Sequence, residues 1–387
     1  MVAARSATSL FAGLALVSAL GCGNGAASNG SGSTTVAVSA EPSAPPASAS
    51  VVAAPPDDTI EGTGYKAIKP VSDAALGCKQ TSFEMATYLL RGELTLAGRP
   101  ANGGEVAGSW LVQLRGKAQI AFAGFDAQAR RIGRDRGIGN AKEHAPSLFA
   151  TGDAWTVVWF DDQGLAFAHP AWETLPTPDI EHLSAVKGVD PANVALGATP
   201  DGSLVVASPF GTQGDQLSVF VFGAPGTKPQ ALGVTKFAKH PSSPAVSADA
   251  DGYTVVWTEE GGVVHATRFD KAGKEIGDGA AVIRTPAEKK SLQLVSIADA
   301  TMLVWSEGDA ILARKLGKDG HADSKIRVVA AKGKFPLTMG AGSDAVVAFL
   351  GEADGVADQL LAARLSAEGV AETAYRVSDG KLPVADP

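Results

Sequence analysis

A short apolar run ending in Val-Val-Trp, or a close relative of it, returns along this chain about every 48 residues. It reads Val157-Val158-Trp159, Val205-Val206-Ala207, Val255-Val256-Trp257, Leu303-Val304-Trp305 and Val346-Val347-Ala348. About ten residues later a second run closes on a turn, as in Phe269-Asp270-Lys271-Ala272-Gly273, Leu316-Gly317-Lys318-Asp319-Gly320 and Leu365-Ser366-Ala367-Glu368-Gly369. The register is regular: Phe125 and Phe269 lie 144 residues apart, three periods of 48, and the steps on to Leu316 and Leu365 are 47 and 49. A fixed period of about 40–50 residues built from short strands is the mark of a β-propeller.

The turns carry hairpin chemistry: Pro200-Asp201-Gly202, Asp251-Gly252, Glu260-Gly261-Gly262 and Asp319-Gly320. One unit resolves into four strands, Ser243 to Ser247, Tyr253 to Thr258, Val263 to Phe269 and Ala280 to Arg284. Six units centre on Trp110, Trp159, Ala207, Trp257, Trp305 and Ala348. The expectation is an all-β chain whose residues 60–387 form a six-bladed propeller, with seven blades the next choice. A barrel or a row of sandwiches accounts less well for the period. Ile60 to Leu90 falls outside the six units, as a degenerate seventh blade or a strand closing the ring. The recurring tryptophans are expected to fill the space between blades.

The amino-terminal 21 residues read as a signal peptide. Arg5 supplies a short positive region, and Leu10 to Leu20 is apolar but too short to span a bilayer. It ends Ala19-Leu20-Gly21-Cys22, which resembles a bacterial lipobox. That resemblance implies cleavage before Cys22 and lipidation of it; an ordinary secretory signal is the alternative. Gly23 after the cysteine, by similarity to Gram-negative lipoproteins, points to the outer membrane, with the periplasmic or surface side open. Residues 22–59 are rich in Ser, Ala, Gly and Pro, and from Gly23 on they lack aromatic residues, Lys and Arg. Such a segment cannot bury enough apolar surface to fold, so it reads as a tether reaching about 30–35 Å. With only two cysteines and Cys22 lipidated, Cys78 has no intramolecular partner and reads as a buried small hydrophobe.

The units resemble the divergent propeller repeats of exported bacterial lipoproteins over roughly residues 90 to 380. They lack the Trp-Asp ending of WD40 repeats and the paired glycines of kelch repeats. Ser247-Ala248-Asp249-Ala250-Asp251-Gly252 has letters of the sialidase box, but Trp257 follows the glycine by five residues where the box has three. The resemblance therefore implies a fold and an address, and no activity.

Carboxylates recur after the strand-ending position. Asp161, Glu259 and Glu307 share one place, and Asp162, Glu260 and Asp309 follow closely, with Glu352 and Asp354 near the last unit's loop. Loops between second and third strands all fall on one face of a propeller, so these six residues are expected to form an acidic binding arc at one mouth of the central channel. Solvated hairpin tips rich in Asp, Glu and Gly account for the same letters. Pro209 and the nearby Arg115 and Lys117 interrupt the pattern.

Asp249-x-Asp251-Gly252 is a fragment of a calcium loop without the remaining ligands, and the six histidines show no zinc spacing. No metal or cofactor is expected. Arg130, Arg131, Arg134 and Arg136 form a basic cluster that fits either a phosphate-facing patch or a solvated loop. A net charge of −8 argues against nucleic acid. No catalytic residue stands out. The leading expectation is a non-enzymatic binding or scaffolding lipoprotein, held to the membrane by its lipid anchor, with a protein or glycan partner in the envelope. The alternative is a carbohydrate-active hydrolase or lyase with its site in the central channel.

Overall fold

In the computed structural model, strands of alternating apolar pattern fold back on themselves through tight turns, and each set of four closes one small antiparallel sheet. The structure describes residues 55–70, 90–99, 105–114, 117–126, 130–142, 146–151, 154–171, 179–183, 193–199, 203–210, 216–222, 230–236, 240–276, 279–297, 300–341 and 344–377. The signal segment, Cys22, the tether up to residue 54 and Cys78 lie outside them.

Among the described residues six sheets follow one another along the chain. Blade 1 comprises Leu90–Arg99, Glu105–Leu114, Lys117–Phe125 and Arg131–Asn140. Blade 2 comprises Ser147–Thr151, Ala154–Asp161, Gly164–Ala168 and Glu181–Leu183. Blade 3 comprises Ala195–Ala198, Leu204–Phe210, Gln216–Phe222 and Gln230–Lys236. Blade 4 comprises Ser242–Ala248, Gly252–Thr258, Val264–Asp270 and a divided outer strand, Glu275–Ile276 and Ala281–Ile283. Blade 5 comprises Lys289–Ile297, Ala300–Glu307, Ala310–Leu316 and Ile326–Ala330. Blade 6 comprises Gly333–Ala341, Asp344–Ala353, Val356–Leu365 and Ala371–Arg376. From blade 1 through blade 6, each blade's first strand touches the first strand of the next. The first strands therefore sit innermost. This is the six-bladed propeller that the period implies.

The second strand of each blade shows how the sheets stack. Tyr253, Val255 and Trp257 of blade 4 pack against blade 3, and Val256 between them packs against blade 5. Leu303 and Trp305 of blade 5 face blade 4, and Met302 and Val304 face blade 6. Trp159 of blade 2 faces blade 1 beside Ile120, Phe122 and Ile138. A period of two thus buries both faces of every sheet, which is why these runs are continuously apolar. Gly139 of blade 1 makes room for the indole opposite: a Cβ there would come within 2.6 Å of Trp159 Cζ2.

The sheets move the repeat register by one residue in two units. The side chain of Ala207 faces forward to blade 4, whereas Trp159, Trp257 and Trp305 face backward. Pairing of Leu204 with Phe222, matched to that of Tyr253 with Phe269, puts Ser208 at the tryptophan position. In blade 6, Ala345 pairs with Leu365 and Phe349 takes that position, facing blade 5. Both shifts follow from geometry: a slip of one residue in a strand exchanges its two faces.

Blades 4, 5 and 6 also share a bulge in the first strand. There Ser243, Ser291 and Phe335 adopt φ of 48°, 53° and 53°, and the pairing with the second strand gains one extra residue.

The described part of the amino-terminal segment, residues 55–70, joins blades 5 and 6, and residues 71–89 lie outside the described residues. Ile60–Glu61 adds to the outer strand of blade 5 in parallel, against Ile326 and Arg327, and Ala67–Pro70 adds in parallel to Thr373–Arg376 of blade 6. Tyr65 and Ile68 pack on the core between these two blades. Residues 57–70 thus form a strap over the rim. Pro70 is tolerated because the strap is an edge strand.

Trp305→Ala empties a fully buried site between blades 4 and 5. It is expected to cost about 3–5 kcal/mol, and Trp305→Phe markedly less, in denaturant melts of the purified protein.

Candidate functional site

The loops between second and third strands were expected to carry the acidic arc. In blade 2 this loop is the tight turn Asp161–Gly164, whose ends pair with each other. In blade 4 it is Glu259–Val263, closed by Glu259 N–H donating to Val263 O at 2.8 Å and Gly262 N–H donating to Glu259 O at 3.0 Å. In blade 5, Glu307 and Ala310 pair across Gly308-Asp309. Asp161, Glu259 and Glu307 each stand two residues beyond a buried tryptophan, so the structure gives them equivalent places in three blades.

All three carboxylates are turned inward and paired within their own blade. Asp161 Oδ2 accepts from His182 Nε2 at 2.8 Å, and its Oδ1 accepts from Gln163 N–H at 2.7 Å. Glu259 Oε2 lies 3.4 Å from His265 Nε2. The His265 ring is stacked on Trp257 with centroids 5.5 Å apart, and its Nδ1 lies 3.1 Å from Gly279 O. Glu307 Oε2 accepts from Trp305 Nε1 at 3.2 Å and lies 3.9 Å from Lys289 Nζ. The Lys289 side chain is fully buried; its ammonium donates to Thr285 O and, at 2.7 Å, to Ala287 O. Burial pushes this ammonium below its ordinary pKa, against the pull of Glu307 and Asp58 in the other direction. The partner comes from the fourth strand in blade 2, the third in blade 4 and the first in blade 5. These carboxylates brace strand ends through partners inside the fold.

Asp162, Glu260 and Asp309 are different. They sit at the tips of the same loops and are exposed, Asp162 by 98% with Lys142 Nζ at 3.8 Å. In blade 6, Glu352 pairs with Lys332 at 3.1 Å and Asp354 with Arg376. In blade 3, Phe210 takes the place at which sequence spacing put Pro209, and residues 211–215 lie outside the described residues. The side chains of Arg115 and Lys117 also lie outside them.

The other sequence candidates have structural roles. Asp249 Oδ1 accepts from the backbone N–H of Asp251 (2.8 Å) and Gly252 (3.0 Å) and from Arg268 Nη2 (2.8 Å), so it closes a hairpin and anchors a buried arginine. Burial alone would raise its pKa; the hydrogen bonds from Arg268 and the turn outweigh it and hold the carboxyl below its ordinary value. Of the arginine cluster, Arg130 Nε pairs with Asp126 Oδ2 at 2.8 Å and Arg136 Nη1 donates to Ala171 O at 2.8 Å. Among the described residues no group of three or more His, Cys, Asp or Glu is placed to hold a metal ion.

Sequence reasoning overlooked His182, His265 and Lys289. They follow or precede their carboxylates by 21, 6 and 18 residues, so no spacing rule connects them.

No protein-family model matches the chain, and no curated protein matches it. Among solved structures it is similar to a prolyl endopeptidase, with 16% identity over 72% of this chain and 41% of that one and a TM-score of 0.46. It is also similar to the Aleuria aurantia lectin in complex with Fucα1-6GlcNAc, at 12% identity, 76% and 96% coverage and a TM-score of 0.47. A third is AofleA from Arthrobotrys oligospora, at 15% identity, 84% and 100% coverage and a TM-score of 0.45. The chain spans about two fifths of the endopeptidase.

Two outcomes are expected. Glu307→Gln strips the counter-charge from buried Lys289 and should destabilise the fold by several kcal/mol, whereas Glu260→Gln at a solvated tip should change stability by no more than about 0.5 kcal/mol in the same melts. His169 tests pH. Its Nδ1 lies 3.0 Å from Thr156 Oγ1, and burial lowers its pKa below 6.5. The unfolded chain therefore takes up the proton first, and stability falls as the pH drops below 6.5 until the folded ring is also protonated. His169→Gln should flatten that part of the melting-temperature profile between pH 7 and 5.

Proposed function

We propose that this protein is a non-enzymatic binding module, held to a membrane through lipid on Cys22, whose second-to-third-strand loops dock a cationic partner. The observation that carries this is the division of labour among the carboxylates. Asp161, Glu259 and Glu307 are spent on bracing the blades, and the next acidic residue in each loop, Asp162, Glu260 and Asp309, is left in water on one face. Three like charges at three loop tips set up a negative field that attracts lysine- and arginine-rich segments and speeds their encounter. A partner of this kind is expected in the cell envelope, where the lipid anchor and tether would hold the propeller. The outer membrane is the proposed address.

The test uses the full chain, purified from membranes in mild detergent, and a fluorescent lysine-rich peptide read by anisotropy. Neutralising all three tips with Asp162→Asn, Glu260→Gln and Asp309→Asn should weaken binding by about threefold to a hundredfold at low salt and flatten its salt dependence, since exposed ion pairs contribute about 0.2–1 kcal/mol each. Unchanged affinity rejects the docking face. Separately, Cys22→Ser should abolish metabolic labelling with palmitate and release the protein from the membrane fraction; a variant that stays labelled rejects the anchor.

A further inference from the structure

The strap occupies a socket that the rest of the molecule builds. Its centre is Arg314 of blade 5, 1% exposed. Two of the guanidinium's contacts go to the propeller itself: Nε donates to Ser324 O at 2.9 Å and Nη1 to Val282 O at 2.6 Å. These two contacts tie the group to blades 4 and 5 without the strap's help. Its remaining contacts go to the strap, Nη1 to Asp58 Oδ1 at 2.5 Å and Nη2 to Asp57 O at 2.8 Å. The other carboxylate oxygen of Asp58 accepts from Arg284 N–H at 2.7 Å. One aspartate is thus gripped at both oxygens across the boundary of blades 4 and 5.

Three residues further on, Glu61 is held by Lys325, at 2.6 Å, and by Arg327. Between the two acids the contact is backbone: Ile326 N–H donates to Thr59 O at 3.2 Å, and Ile60 and Glu61 pair with Ile326 and Arg327. Ile60 is 47% exposed, so the apolar side chain at the centre of this stretch adds little hold. Charge and main chain do the recognising, as in the addition of a peptide strand to a sheet edge.

We propose that the outer edge of blade 5 is a binding socket for an extended Asp-x-x-Glu strand, filled in cis by Asp58–Glu61, and that the occupant in trans is the same segment of a second copy of this chain. The complementarity is specific. Three cations, Arg314, Lys325 and Arg327, face the strap's Asp57, Asp58 and Glu61, with Lys325 Nζ 4.0 Å from Asp57. The strap lies 226 to 266 residues from its socket partners in sequence, so replacing it with an identical segment from another chain keeps every contact. Exchange of an identical element is a low-cost route to association.

The experiment uses the full chain in mild detergent. Hydrogen exchange of the unmodified protein should show the amides of Ile326, Tyr65 and Lys66 opening together, well before those of Val256 and Leu303 in the blade cores. Opening of all five only with global unfolding overturns the proposal, because the strap then never leaves its socket. A labelled peptide of residues 55–70 is next mixed with full-length chain carrying Asp58→Asn and Glu61→Gln, which loosen the cis strand. Stoichiometric binding is expected, weakened at least tenfold when the peptide carries Asp58→Asn or the chain carries Arg314→Met. Failure of the native peptide to bind a variant that still melts cooperatively overturns the socket. Finally, two differently tagged full-length chains incubated together should co-purify, and the excess native peptide should separate them. Co-purification that the peptide leaves intact overturns the second copy as occupant.

Discussion

Everything in this molecule depends on sheets that bury both faces. A strand exposed on one side alternates apolar and polar residues, but Val255-Val256-Trp257 and Leu303-Val304-Trp305 have no polar member to offer water. Each such run must find a neighbour in front and another behind, and a ring is the arrangement that supplies both to every blade. The tryptophans fill the space this leaves, and a glycine on the facing blade, Gly139 against Trp159, accepts the bulk. With hydrophobic burial and close packing this extensive, a chain with two cysteines needs no disulfide framework to hold its blades together.

Polar groups follow from the same constraint. Where a strand leaves the stack, its last side chains sit in a half-buried zone, and a charge there has to be answered. Asp161, Glu259 and Glu307 are answered by His182, His265 and Lys289. Between blades 4 and 5 a second set runs through the interior: Ser247 and Ser296 lie 2.8 Å apart across the two first strands, and Thr254 Oγ1 lies 3.4 Å from Thr301 Oγ1 across the two second strands. These contacts order the blades relative to one another; the exposed acids one or two residues beyond Asp161, Glu259 and Glu307 carry none of that duty.

The blade pattern was legible because turns and period are local signals. The four strands expected between residues 243 and 284 appear within two residues of their expected bounds, apart from an outer strand split at Glu275–Ile276. The phase of the third and sixth units was not, because Val205-Val206-Ala207 and Val346-Val347-Ala348 have the letters of the motif while the face they present depends on the strand opposite. Spacing put Asp161, Glu259 and Glu307 in equivalent places, but whether a carboxylate points inward depends on a partner brought from another strand. The strap was hidden for a related reason. Ile60 to Pro70 has no repeat partner in the chain, and what places it is Arg314, more than 240 residues away.

The pairing of Trp159 with Gly139 has a consequence for how such a ring can change over time. Trp159 of blade 2 fits the hollow at Gly139 of blade 1, so this seam is matched to these two blades. Transposing a blade into it would set the indole against a side chain wherever the new blade lacks that glycine. Here the unit that variation must respect is the seam between two blades, and the two facing strands can change only together.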